Sequence, residues 1–312
     1  LESELAVLVA TSVVRGSLQG ESHGGVYLID LDNQRVKQTI DWNVSDIDWQ
    51  GRGWDRGLRG IAFDGERIFV AASDELFVYD RNFNLITSYR SPYLKHCHEI
   101  SVHQRRLYLS STGFDTVLGF DLDANRFSFG LALRRDRKGL RAQPFDPSSR
   151  TGPEPSNELH INSIFCNQKG MFISGLKSEG IHVYTGQHIV KLANLPPGTH
   201  NARPHANGIL FNDTPKNVVR FVPTDGAQRV FNVPVYNPTL LTHTNLDDAK
   251  IARQGFGRGL CNIDENRVAA GSSPSTITIY NLAEMKTELS VNLSMDIRNA
   301  IHGLEVWPFD LS

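Results

Sequence analysis

Residues 59–73, RGIAFDGERIFVAAS, decide the fold. An apolar run breaks at Asp64-Gly65 and resumes as a second apolar run, the pattern of two antiparallel strands joined by a tight turn. Residues 75–80, ELFVYD, add a third strand. The same order returns at 98–111, HEISVHQRRLYLSS, followed by TVLGFD at 116–121, and at 160–175, HINSIFCNQKGMFISG, followed by GIHVY at 180–184. A looser copy runs from LCNIDENRVAAG at 260–271 to ITIY at 277–280. Three strands and then a fourth, repeating every roughly 40–50 residues, is the pattern of a propeller blade.

Blade starts fall at Arg59, His98, His160, His205, Gly259 and His302. The last has only its first strand, IHGLEVWP, before the sequence stops, while the N-terminal runs ELAVLVATS, GGVYLIDL and RVKQTIDW are three strands without an innermost partner. Joining the two ends in one composite blade closes the ring and leaves no open edge. The reading is therefore an all-β, six-bladed β-propeller forming a single domain over 1–312; seven blades would require a unit that the sequence does not display. Two connections, 132–158 and 235–257, are long enough to be functional loops. Both join an outermost strand to the next innermost one, and the second has one expected helical turn near Asp247 to Arg253.

Composition narrows the function. With 32 Lys and Arg against 34 Asp and Glu, the formal net charge is −2, which gives no reason to expect nucleic acid or an anionic membrane as partner. The basic run Arg134-Arg135-Asp136-Arg137-Lys138 with Arg141 reads as a solvated loop. No stretch reaches the roughly 18 apolar residues of a membrane span, and LESELAVLVATS lacks the basic head of a secretory signal. Cys97, Cys166 and Cys261 form no CxxC pair, so a disulfide or zinc-ribbon framework is unsupported and a reducing, cytoplasmic setting is expected. No GxSxG elbow or P-loop occurs, and the glycine-rich stretch at 255–259 does not open a helix.

The histidines carry the functional reading. Superposing the blade starts puts His98, His160, His205 and His302 at one position of the repeat, with Arg59 and Gly259 in the other two blades. Innermost strands line a propeller's channel, so four imidazoles at one height would converge on the axis, at the mouth flanked by the two long loops. Neutral imidazole suits Fe, Cu, Zn or Ni. Oxygen-seeking calcium and magnesium fit poorly. Glu99, Glu158 and Glu305 are near enough in sequence to orient ligands, although strand alternation points Glu99 away from the axis. Arg59 and Arg258 are candidates to bind a substrate carboxylate or phosphate. Asn162 and Asn207, each two residues after a histidine, are expected to line the channel below.

The repeat pattern resembles the six-bladed β-propeller superfamily that includes the gluconolactonase-like enzymes. The set of four axial histidines is similar to the iron site of the carotenoid cleavage oxygenases, by constellation only: those enzymes are larger and seven-bladed. That resemblance implies Fe(II) with open positions for dioxygen or substrate. The leading expectation is an Fe(II) oxygenase or oxidoreductase, a dioxygenase by that likeness, acting on a small organic substrate. The alternatives are a metal-dependent hydrolase or lyase and a non-enzymatic scaffold whose face binds a protein or sugar.

Overall fold

The repeats become blades in a computed structural model of the chain, which describes residues 6–18, 20–43, 57–137, 139–244 and 253–310. Blade 1 pairs Ile61–Asp64, Arg67–Ala72, Glu75–Tyr79 and Leu85–Arg90, each strand antiparallel to the one before it. Blade 2 begins at Cys97–His103, blade 3 at Ile161–Asn167, blade 4 at Thr199–His205 and blade 5 at Leu260–Asn262. Blade 6 is the composite: C-terminal Asn299–Val306 is its innermost strand, paired with N-terminal Val7–Val14, then Gly25–Asp30 and Arg35–Asp41. The chain is a six-bladed β-propeller with the closure read from its sequence.

Six apolar clusters hold the ring together, one at each seam between neighbouring blades. Val9, Val26, Ile68 and Phe77 join blades 6 and 1; Phe69, Leu76, Leu109 and Phe120 join blades 1 and 2. The remaining four seams are built alike, ending with Leu8, Ile29, Ala269 and Ile277 between blades 6 and 5. Each blade therefore buries both faces against neighbours, which is why its central strands read as nearly continuous Val, Ile, Leu and Phe. Close approach near the axis requires glycine: a Cβ on Gly60 would lie 2.8 Å from the Ile100 nitrogen, and one on Gly303 would lie 2.3 Å from the Arg59 oxygen.

The connection 132–158 is not a loop throughout. Arg126–Asp136 turns into a fifth strand, Gly139–Phe145, paired from Gly130↔Phe145 to Asp136↔Gly139. The basic run lies on this hairpin, apart from Lys138, which is outside the described residues. Leu131 and Leu133 are buried against blade 3, and Arg135 on the same face bonds the Lys177 carbonyl and Glu179 of that blade. Charge density masked a strand that has only one apolar face. Of 235–257, residues 245–252 lie outside the described residues, and with them most of the expected helical turn. Among the described residues there is no α-helix, and no helix is long and apolar enough to cross a membrane.

Candidate functional site

The innermost strands do not keep simple alternation where the histidines sit. In blade 2 the register slips between Cys97 and Ile100; in blade 3 between Ile161 and Ser163; in blade 4 between His200 and Arg203. In blade 6, four residues, Ile301 to Leu304, face three on the neighbouring strand, Ser12 to Ala10. Such bulges re-aim side chains. In these four blades they lie at or beside the histidines, while the innermost pairs of blades 1 and 5 show none.

That ring contains His98, His160 and His302, as the repeat implies, but not His205. His98 and His160 have ring centroids 5.7 Å apart, and His98 and His302 lie 6.3 Å apart. His205 is the last residue of its strand, pairs with Gly208 across the turn, and hydrogen-bonds the Glu265 carbonyl at 3.0 Å through Nε2. The equivalent of His98 in blade 4 is His200. Each is the second residue of its innermost strand, and each makes the same contacts. The motif His205-Ala-Asn-Gly-Ile resembles His160-Ile-Asn-Ser-Ile, and that likeness shifted the fourth blade by five residues. Counting back from the second strand identifies the right residue. From His98 to Arg106 is eight positions and from His200 to Gly208 is eight, whereas His205 to Gly208 is three, too few for a strand and a turn.

Hydrogen bonds fix the tautomer of two of these imidazoles. Nδ1 of His98 lies 2.8 Å from Thr112 Oγ1 and 2.7 Å from the His96 carbonyl. The Thr112 hydroxyl donates its own proton to the Ile161 carbonyl at 2.5 Å, so it accepts from Nδ1–H. His200 repeats the arrangement: Nδ1 is 2.9 Å from Thr214 Oγ1 and 3.1 Å from the Gly198 carbonyl, and Thr214 donates to the Gly257 carbonyl at 2.9 Å. Both rings therefore carry the proton on Nδ1 and the lone pair on Nε2. At His200, Nε2 is buried without a hydrogen-bond partner among the described residues. His302 also has its lone pair on Nε2, which accepts from Arg258 Nη1 at 3.4 Å.

Arginines surround the histidines. In blade 5 the residue equivalent to Arg59 is Arg258 rather than Gly259: their nitrogens bond the second strand alike, at Ala71 and Gly271, and the two arginines are 1% and 6% exposed. Arg15, from the N-terminal strand's end, is a third, and the sequence reading missed it. Its guanidinium lies 5.4 Å from the Phe256 ring centroid, with Arg258 at 4.6 Å and Arg253 at 5.8 Å from the same ring. Burial, then Arg258 and neighbouring cations, lowers His160 to about 4. Burial followed by the arginines holds His98, His200 and His302 well below the usual histidine range. Burial also lowers Arg15 to about 10, and burial with Arg15 nearby lowers Arg59 to about 9. Arg258 is pushed down by burial and by both other arginines. The imidazoles are neutral at pH 7, and the guanidiniums crowd one another.

Beneath this layer a polar network crosses the channel. The Glu99 carboxylate accepts from Asn201 Nδ2 at 2.8 Å, Arg203 Nη2 at 3.1 Å and the Ile164 nitrogen at 3.2 Å. Asn201 and Arg203 belong to blade 4, two blades from Glu99, so Glu99 faces the axis. The bulge at His98–Glu99 overturns the alternation argument. Asn162 is buried and donates to the Thr199 carbonyl at 3.3 Å. Asn207 is not in the channel: it lies exposed in a turn, where its carbonyl accepts from Thr224. Asn201 takes the interior position in blade 4. Glu158 is exposed and bonds no histidine. Glu305 lies 3.7 Å from Arg203 and lines, with Asn262 and Phe165, a cavity of about 320 Å³ at the opposite mouth. A hollow of about 1010 Å³ lies off the axis beside Trp307 and Phe309.

As the side chains stand, no three His, Cys, Asp or Glu among the described residues are grouped to hold a metal ion. With N–metal bonds of about 2.0–2.1 Å, two imidazoles on one tetrahedral ion have centroids about 5 Å apart. The observed 5.7 and 6.3 Å separations would have to close by about 1 Å.

No protein-family model matches the chain, and no curated protein sequence does. Solved structures do. A chain from a nidogen/laminin complex is 11% identical, with 96% of this chain and 98% of that one covered and a TM-score of 0.60. A chain of a mitotic checkpoint complex is 13% identical over 82% and 81%, with a TM-score of 0.50. Apo AztD from Citrobacter koseri is 11% identical over 97% and 98%, at a TM-score of 0.48. At these identities the likeness is one of fold alone.

Proposed function

We propose that the propeller carries a metal-dependent active site at this channel mouth, with His98, His160, His200 and His302 as the ligands. The observation that carries the reading is the shared tautomer of His98 and His200. A threonine hydroxyl and the carbonyl two residues back both take the Nδ1 proton, so Nε2 presents a lone pair. Metal-bound histidines are oriented in this way by their outer hydrogen bonds. Binding would require a modest inward closure of the ring and displacement of Arg258 from His302 Nε2. An all-imidazole set favours a redox-capable ion such as Fe(II) over structural zinc, which prefers thiolates. The ion would supply open coordination positions for oxidation of a small organic substrate.

Elemental analysis of protein purified without chelator tests this. Redox-active iron near unit stoichiometry, lost in His98→Ala and His200→Ala, with oxygen-dependent turnover, supports the oxidoreductase. Redox-inert zinc would move the assignment to a hydrolase or lyase, where the ion activates water. No metal at near-unit stoichiometry, with the same ligand binding in both variants, would sink both and leave a binding scaffold.

A further inference from the structure

Arg15 and Arg258 bring charge to the channel mouth with no carboxylate paired to them among the described residues. Arg258 is 6% exposed, and its Nε is buried without a hydrogen-bond partner. No carboxylate among the described residues forms a salt bridge with Arg15, Arg253 or Arg258. Arg253 is held by neutral oxygens, those of the Asn217 side chain and of the Thr214 and Gln254 carbonyls. Elsewhere in the same channel the rule is different: buried Arg203 is matched by Glu99 and Glu305. Guanidinium groups withdrawn from water without an anion carry an uncompensated desolvation cost. Here Arg15, Arg253 and Arg258 gather around the single ring of Phe256, which in turn lies 5.7 Å from His200.

We infer that the site binds a small oxyanion, a carboxylate- or phosphate-bearing molecule, held by Arg15 and Arg258 beside the imidazole ring. The guanidinium fork matches either group through paired N–H donors. Nε2 of His200, whose ring is protonated on the far nitrogen only, is buried without a partner beside Phe256 and can accept a hydrogen bond from a hydroxyl of the bound molecule. The anion offsets the crowding of Arg15 and Arg258, against which no carboxylate lies among the described residues. This goes beyond the metal reading and does not depend on it, because the arginine cluster exists whether or not the histidines take an ion.

Thermal shift and calorimetric titration of the full chain, treated with chelator, test it. The probes are sodium succinate and inorganic phosphate, each against sodium chloride at equal ionic strength. The expected result is saturable one-to-one binding of at least one oxyanion, with Tm raised above the chloride control. Arg258→Gln and Arg15→Gln should each weaken it by about tenfold or more, the loss of one charge-assisted pair. Arg141→Gln, on the exposed hairpin, should leave it unchanged. Where Arg258→Gln does not fold, Arg15→Gln and Arg258→Lys carry the test. Preference for succinate assigns a carboxylate and preference for phosphate assigns a phosphoryl group. Binding of neither above chloride, or binding untouched by the arginine variants, overturns the inference. Because the protein is metal-free throughout, failure here leaves the metal reading standing, and failure to find metal leaves this one standing.

Discussion

Nδ1 of His200 sits 2.9 Å from Oγ1 of Thr214, and Thr214 spends its own proton on the Gly257 carbonyl of the next blade. One hydroxyl therefore fixes an imidazole tautomer and ties two blades together. Thr112 does the same between His98 and Ile161. Replacing either threonine by valine keeps the volume and removes the acceptor. Thr112→Val and Thr214→Val should each weaken metal binding by about 10–100-fold while the protein stays folded. Competition against a calibrated chelator reads this directly, and unchanged affinity in both variants would remove the tautomer argument.

The two registers of blade 4 make opposite predictions. His200→Ala should abolish metal binding. His205→Ala should leave it intact, because His205 lies away from the other histidines, bonded to the Glu265 carbonyl with the Phe221 ring 5.7 Å away. Its cost is the loss of one hydrogen bond, about 1 kcal/mol, read from denaturant unfolding. Loss of metal in His205→Ala with retention in His200→Ala would reverse the assignment.

Glu99 is the acceptor on which the mid-channel network converges. Glu99→Ala leaves Arg203, 8% exposed at its side chain, with only the longer contact to Glu305. Removing one partner of a buried pair costs about 3–5 kcal/mol. A drop of that size is expected in urea unfolding, and Glu99→Gln should recover part of it by still accepting from Asn201. A loss within experimental error of zero would show that water replaces the carboxylate.

Burial raises the Glu305 carboxyl to about 7, with Arg203 opposing the rise and Glu99 adding to it. Its side chain keeps 36% of its surface open at the lower mouth, so water there moderates the effect. An acid held above its reference value of 4.5 binds its proton more tightly when folded. On this group's account, stability therefore falls as pH rises from about 4.5 to about 7 and stays reduced above that. Glu305→Gln should raise Tm at pH 8 and change it little near pH 4.5. An equal effect at both pH values would remove Glu305 as the source.

The repeat at 59–73 and its copies determined the six blades and their closure. Alternating strands with turns at fixed offsets can bury both faces only by stacking around a ring, and the two incomplete ends complete one another. The sequence also determined that histidine recurs at one repeat position, and it placed His98, His160 and His302 there. Tertiary structure alone decided which side chains meet. A bulge adds one residue to a strand and reverses the facing of its neighbours, so Glu99 turned inward against the alternation rule. In blade 4 the distance to the next turn, not the resemblance of a short motif, put His200 on the axis and His205 in a corner. Arg15 was invisible for the same reason. It follows the second strand of the composite blade, outside the repeat position, and reaches the axis only because the chain's two ends are joined in space.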